Sequence, residues 1–163
     1  QNSLWIPATG MFTYSGTPTL ALTNSGQPTW ALPQSVDTEV LCGPLVHPAT
    51  WKSGDAYLYW HTTVTSGNVQ FELQRKYIGG GVTTVGLTTA VNVGGWTKTH
   101  AGTIAGAVSG SVSSGATHVT PLGGFGDQTN IPIALRIKRT GSSGTDTVAA
   151  PVCVIGVLLE RAA

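Results

Sequence analysis

Residues 56 to 77, AYLYWHTTVTSGNVQFELQRKY, alternate apolar and polar side chains in two runs with Ser66 and Gly67 between them. In the first run Ala56, Leu58, Trp60, Thr62 and Val64 oppose Tyr57, Tyr59, His61 and Thr63; in the second Val69, Phe71, Leu73 and Tyr77 oppose Gln70, Glu72, Gln74 and Lys76. A period of two places one side of a strand on a core and the other in water, which is the pattern of antiparallel sheet. The spacing predicts strands over 56–64 and 69–77, joined as a hairpin through Ser66-Gly67. No window carries the 3.6-residue period of an amphipathic helix.

The alternation returns at 131–139, where Ile131, Ile133, Leu135 and Ile137 oppose Arg136 and Lys138, and in a more apolar form at 152–160. Between them lies TGSSGTDT, a run of turn formers. Shorter candidates are 4–6, 11–14, 20–22, 39–46, 83–87 and 103–108. A chain of 163 residues supports one core. The expected fold is all-β, an antiparallel β-sandwich of jelly-roll type, with a closed barrel as the alternative. Leu58, Trp60, Phe71, Leu73, Ile133, Leu135 and Ile137 are expected to share the core.

Residues 1–36 hold Pro7, Pro18, Pro28 and Pro33 together with Gly10, Gly16 and Gly26. They read either as an extended N-terminal arm or as edge strands and loops, where proline is tolerated; residues 37–163 form the sandwich domain. The Gly-rich stretch 79–126 reads as long loops or edge strands.

A net charge of +1 gives no field to attract nucleic acid or an anionic membrane, so neither is an expected partner. There is no apolar run long enough for a membrane span and no leader-like start, so a soluble, unanchored chain is expected. His47, His61, His100 and His118 lack metal-site spacing, and the seven acids are scattered. Nucleophile elbow, P-loop and dinucleotide fingerprint are missing. The chain is therefore read as a non-enzyme with no cofactor and no metal. Cys42 and Cys153 sit in apolar surroundings and are either two buried thiols or a disulfide.

Five of the eight basic residues, Arg75, Lys76, Arg136, Lys138 and Arg139, fall in two strong strands. They read as a solvated outer face that guards against aggregation or as a docking surface for an acidic protein neighbour. Arg136 and Lys138 oppose the apolar side of their strand, whereas Arg75 and Arg139 are in phase with the core and are expected at strand ends with their heads in water. Tyr57, Tyr59 and His61 share the outward side of 56–64 and complete the candidate protein-interface set. Trp60 is in phase with the core; Trp5 and Trp51 are expected to pack in the core or anchor loops, and Trp96 to be exposed. Exposed aromatics on a sandwich would alternatively stack on sugars.

Three stretches, LWIPATGM, PATWKSGDAYLYWHTTVTSGNVQFELQ and IPIALRIKRTGSSGTDTVAAPVCVIGVLLE, together resemble small β-sandwich structural proteins of tailed bacteriophages, including cyanophage and uncultured aquatic phage relatives. None of these motifs is catalytic. The resemblance implies a virion location on the capsid surface, as a decoration (cement) protein stabilising the phage head. It implies contacts with the major capsid protein and with copies of itself, as a homotrimer. The alternative is a tail fibre or spike module that binds host receptor or carbohydrate.

Overall fold

The computed structural model describes residues 3–22, 26–45, 51, 54–64, 67–77, 87–94, 118–126 and 132–161; for residues 44–45, 75–77, 87–94, 118, 121, 123–126 and 133 it describes the backbone alone. These residues form eleven strands and one short 3-10 turn. The strands are β1 (Ser3–Pro7), β2 (Met11–Ser15), β3 (Thr19–Leu22), β4 (Pro28–Leu32), β5 (Asp37–Leu45) and β6 (Gly54–His61), followed by β7 (Gln70–Tyr77), β8 (Leu87–Gly94), β9 (His118–Gly126), β10 (Ile133–Thr140) and β11 (Val152–Arg161). The turn, Ala8–Gly10, lies between β1 and β2.

One sheet has the order β3-β4-β11-β6-β9, with β1 also paired to β11, and the other the order β2-β5-β10-β7-β8; every pairing is antiparallel. From β4 to β11 every connection changes sheet except that between β7 and β8. Strand orders β4-β11-β6-β9 and β5-β10-β7-β8 with those crossings define a jelly roll. The all-β sandwich read from the alternation is the observed fold.

The hairpin over 56–77 is not. β6 lies between β11 and β9, whereas β7 lies between β10 and β8 in the opposite sheet. The connection between them changes sheet, so the two alternating runs face each other across the core. Trp60 of β6 meets Phe71 of β7 edge to face, ring centroids 5.3 Å apart. The crossing is tied down at both ends: the Thr62 hydroxyl donates to the Pro151 carbonyl at 3.0 Å, and the Asn68 amide donates to the Thr147 hydroxyl at 2.8 Å. Gly67 adopts φ +105°, and a Cβ there would sit 3.1 Å from the Thr147 carbonyl oxygen, so glycine is required both by conformation and by space.

The core is continuous between the sheets. Leu58, Trp60, Phe71, Leu73, Leu135 and Ile137 are all in it, joined by Leu32, Val40, Trp51, Leu122, Val154 and Val157 among others; the side chain of Ile133 lies outside the described set. Within the N-terminal segment, β1 pairs with β11, β2 with β5 and β3 with β4. Trp30 on β4 packs against the core and donates its indole N–H to the Ala8 carbonyl at 2.8 Å, linking the short turn to the sheet. β9 runs through Pro121 at the border of its sheet, where a missing amide breaks no internal ladder. The candidates at 83–86 and 103–108, and Trp96, lie outside the described residues.

Arg139 overturns the expectation of a strand-end cation in water. It is fully buried, and the side chain of its partner Asp146 is shielded from solvent as well. The Arg139 Nε donates to Asp146 Oδ2 at 2.9 Å and Nη2 to Oδ1 at 2.8 Å, a two-point ion pair. The remaining N–H groups reach the carbonyls of Leu32, Ala150 and Val148 at 3.0, 2.7 and 2.8 Å. Five donors find five acceptors, which is how a guanidinium is held out of water. Asp146 Oδ2 also accepts the Gln70 amide at 3.2 Å. The Arg and Asp of the RTGSSGTDT stretch are thus a clamp joining β10 and the crossing to β11 with the end of β4 and the start of β7.

Both cysteines are free, Cys42 buried in the five-stranded sheet and Cys153 half-buried in the six-stranded one. Burial pushes the Cys42 thiol up to about 12, and it also raises that of Cys153. The thiolate is the reactive form. At pH 8 Cys42 in the native protein is expected to react with a thiol-directed reagent roughly a thousandfold more slowly than an unperturbed cysteine. Two thiols should titrate in denaturant without reductant; fewer would mean a disulfide.

Candidate interaction faces

Arg136 and Lys138 project from β10 on the outer side of the five-stranded sheet, whereas Tyr57, Tyr59 and His61 project from β6 on the outer side of the six-stranded sheet. The five candidate residues therefore occupy opposite faces of the sandwich. They cannot serve one flat contact.

On the five-stranded side, strand pairing sets Arg136 between Leu41 and Gln74, and Lys138 between Glu39 and Glu72. Arg136 leans diagonally to Glu39 and Lys138 to Asp37, while Glu72 lies directly across from Lys138. Lys138 Nζ lies 3.2 Å from Asp37 and 3.8 Å from Glu72, and Arg136 Nη1 lies 3.6 Å from Glu39. Arg136 also donates to the Gln74 side-chain oxygen and stacks on Tyr14, 4.5 Å from the ring centroid. Two cations thus face three carboxylates, so this region is a charge ladder, even though β7 and β10 are neighbours. The Arg75 and Lys76 side chains lie outside the described set. Hydrogen bonds from Ser142 are the main cause holding the Asp37 carboxyl below its usual range.

The outer face of the six-stranded sheet is different in character. Tyr57, Tyr59 and His61 are half-buried there, and pairing sets Leu158 beside Tyr57, Gly156 beside Tyr59 and Cys153 beside His61. Both His61 ring nitrogens are shielded from solvent and have no hydrogen-bond partner among the described residues, and burial lowers the pKa of this group. Trp5 joins this face from β1, correcting the expectation that it packs in the core or anchors a loop. Its ring lies over Gly156, where an added Cβ would come within 2.3 Å of the indole, and it meets Tyr59 edge to face with centroids 5.2 Å apart. Trp5 remains 42% exposed. Trp51 and Trp60 are buried as expected.

Several apolar side chains that sequence reading left unremarked are exposed at the β2/β3 side: Phe12 63%, Leu20 50% and Leu22 70%. The signal was present, because Leu20 and Leu22 are two apart on a short strand. Their phase matches the core, but among the described residues β3 ends its sheet, and both side chains stay exposed.

Neither a scan of protein-family models nor a search of curated proteins finds a match for this chain. Among the described residues no cluster of His, Cys, Asp and Glu is arranged to hold a metal ion, and no helix is long and apolar enough to cross a membrane.

Proposed function

We propose that this chain is a virion structural protein, a capsid decoration protein that stabilises a phage head through protein contacts and assembles as a homotrimer. The observation that carries the reading is the exposure of apolar side chains on two strands that end their sheets among the described residues, Phe12 on the outer side of β2 and Leu20 and Leu22 on the core-phase side of β3. Exposed apolar groups gathered on strands with a free edge mark a protein contact in a well-behaved protein and an aggregation site otherwise. The jelly roll supports the reading by analogy only, since viral capsid domains use it among many others.

In purified particles, quantitative mass spectrometry is expected to find many copies per particle, and imaging to place them over the capsid shell. A few copies at a tail tip would favour the fibre or spike module instead. The double variant Leu20→Asp/Leu22→Asp is expected to keep its thermal unfolding temperature and lose particle binding. Undiminished binding would remove the β2/β3 side from the contact.

A further inference from the structure

We propose that His61 is an acid-sensitive latch on the six-stranded sheet: the end of β6 stays paired with β11 while the ring is neutral and comes loose when the ring takes up a proton. This goes beyond the capsid reading and does not depend on it.

His61 is the last residue of β6, and its direct partner on β11 is Cys153. Just beyond it the Thr62 hydroxyl ties the strand end to the Pro151 carbonyl, next to the start of β11. The ring therefore sits where the β6/β11 pairing stops, and a ladder end is where a sheet opens at least cost. Both ring nitrogens are shielded from solvent and have no hydrogen-bond partner among the described residues. A proton would add a second N–H donor and a positive charge at once, and neither would find an acceptor while the strand end stays closed.

Among the described residues no facing group supplies a counter-charge. Cys153 lies directly opposite, but burial raises its thiol pKa more than the Thr29 hydroxyl of β4 lowers it, so it is uncharged at and below neutral pH. Ala31, the β4 partner of Cys153, carries no charge either. Tyr59, next on the same face of β6, is a phenol whose pKa is raised, chiefly by burial. On β9 the pairing with β6 ends at His118 opposite Trp60, and the His118 side chain lies outside the described set. Asp55 and Glu160, with Arg161 next to them, pair about 20 Å away along the strands, beyond the roughly 8 Å over which exposed charges act at physiological salt. Inside the sandwich Arg139 reaches this end of β11 through the Ala150 carbonyl, but Asp146 matches its charge. Burial accordingly lowers the His61 pKa, so the unfolded chain binds the proton first. Stability is then complete above about 6.5, the ordinary histidine value, and falls below it by up to about tenfold in the folding constant per pH unit until the folded ring itself titrates.

The test follows the His61 ring signals of the full chain by nuclear magnetic resonance as the pH is lowered, and measures urea unfolding at pH 7.5 and pH 5.5 for the native sequence and for His61→Phe. The ring is expected to titrate below about 6.5. Between the two pH values the folding constant of the native sequence should fall about fivefold to tenfold further than that of His61→Phe, which keeps a ring but takes up no proton. His61→Leu serves in its place if the phenylalanine variant does not fold. Release of the strand end has its own readout, labelling of the Cys153 thiol by a dithiodipyridine reagent that works in acid, with the labelled peptide identified by mass spectrometry. Scaled to a free thiol at the same pH, labelling should be at least about threefold faster at pH 5.5 than at pH 7.5 in the native sequence and unchanged in His61→Phe. The proposal is overturned if the ring titrates at or above about 6.5, if the native sequence and the variant lose stability in parallel, or if acid does not speed the labelling of Cys153.

Discussion

Replacing Arg139 with Met is expected to destabilise the protein by about 3–5 kcal/mol, the usual cost of removing one partner from a buried ion pair. The substitution roughly preserves volume but leaves the buried Asp146 carboxylate without its two guanidinium bonds and deprives the Leu32, Val148 and Ala150 carbonyls of their donors. Those groups belong to the end of β4 and the crossing between β10 and β11, while Asp146 also receives the Gln70 amide at the start of β7. The damage therefore spreads over both sheets. A domain of this kind has only about 5–15 kcal/mol of stability in total, so the variant should be close to unfolding at physiological temperature. Urea unfolding followed by circular dichroism measures the loss. Adding Asp146→Leu to Arg139→Met removes the stranded charge, and the double variant should be more stable than Arg139→Met alone. A loss below about 1 kcal/mol in the single variant would match an exposed pair and place the guanidinium in water.

Trp60→Ala should cost a similar amount, about 3–5 kcal/mol, for a different reason. Trp60 is fully buried, packs edge to face on Phe71 of the opposite sheet and donates its indole N–H to the Thr120 hydroxyl at 2.8 Å. Truncation opens a cavity between the sheets and also removes a tie from β6 to β9. Thr120→Val separates the two contributions, because it keeps the packing and leaves a buried indole donor without an acceptor, at a cost of about 1–3 kcal/mol. Chemical denaturation of the three proteins gives both figures. If Trp60→Ala lost less than about 1 kcal/mol, the ring would not be part of the core.

Much of this architecture is legible locally. The strands at 56–61, 70–77, 133–140 and 152–161 and the core they share follow from side-chain alternation, because burial of one face is a local demand that each strand must meet. β4 and β9 were not legible: Pro28 opens one, and Pro121 with Gly123, Gly124 and Gly126 fills the other, and both types read as turns. Such residues are accommodated where β9 borders its sheet and where β4 pairs with β11 through only three residues.

Which strands pair is another matter. A period of two is the same for a hairpin and for two strands facing across a core, so 56–77 could not by itself reveal that β6 and β7 belong to opposite sheets. The candidate site suffered for the same reason. Alternation correctly turned Arg136 and Lys138, and Tyr57, Tyr59 and His61, away from the core, but it carries no information on which sheet a strand joins, and the two groups came out on opposite faces. Trp5 reached its place only because Gly156, far along the chain, leaves a gap in β11.

The sequence alone determined that the chain is all-β, that it builds a sandwich, and which side chains fill the core, since these depend on hydrophobic burial repeated along each strand. Strand partners, the buried state of Arg139 and the neighbours of every outward residue were decided only by the tertiary structure. They depend on contacts between distant segments: a charge is tolerated in the interior only when the fold brings one carboxylate and three carbonyls to it at once, and no local pattern records that meeting.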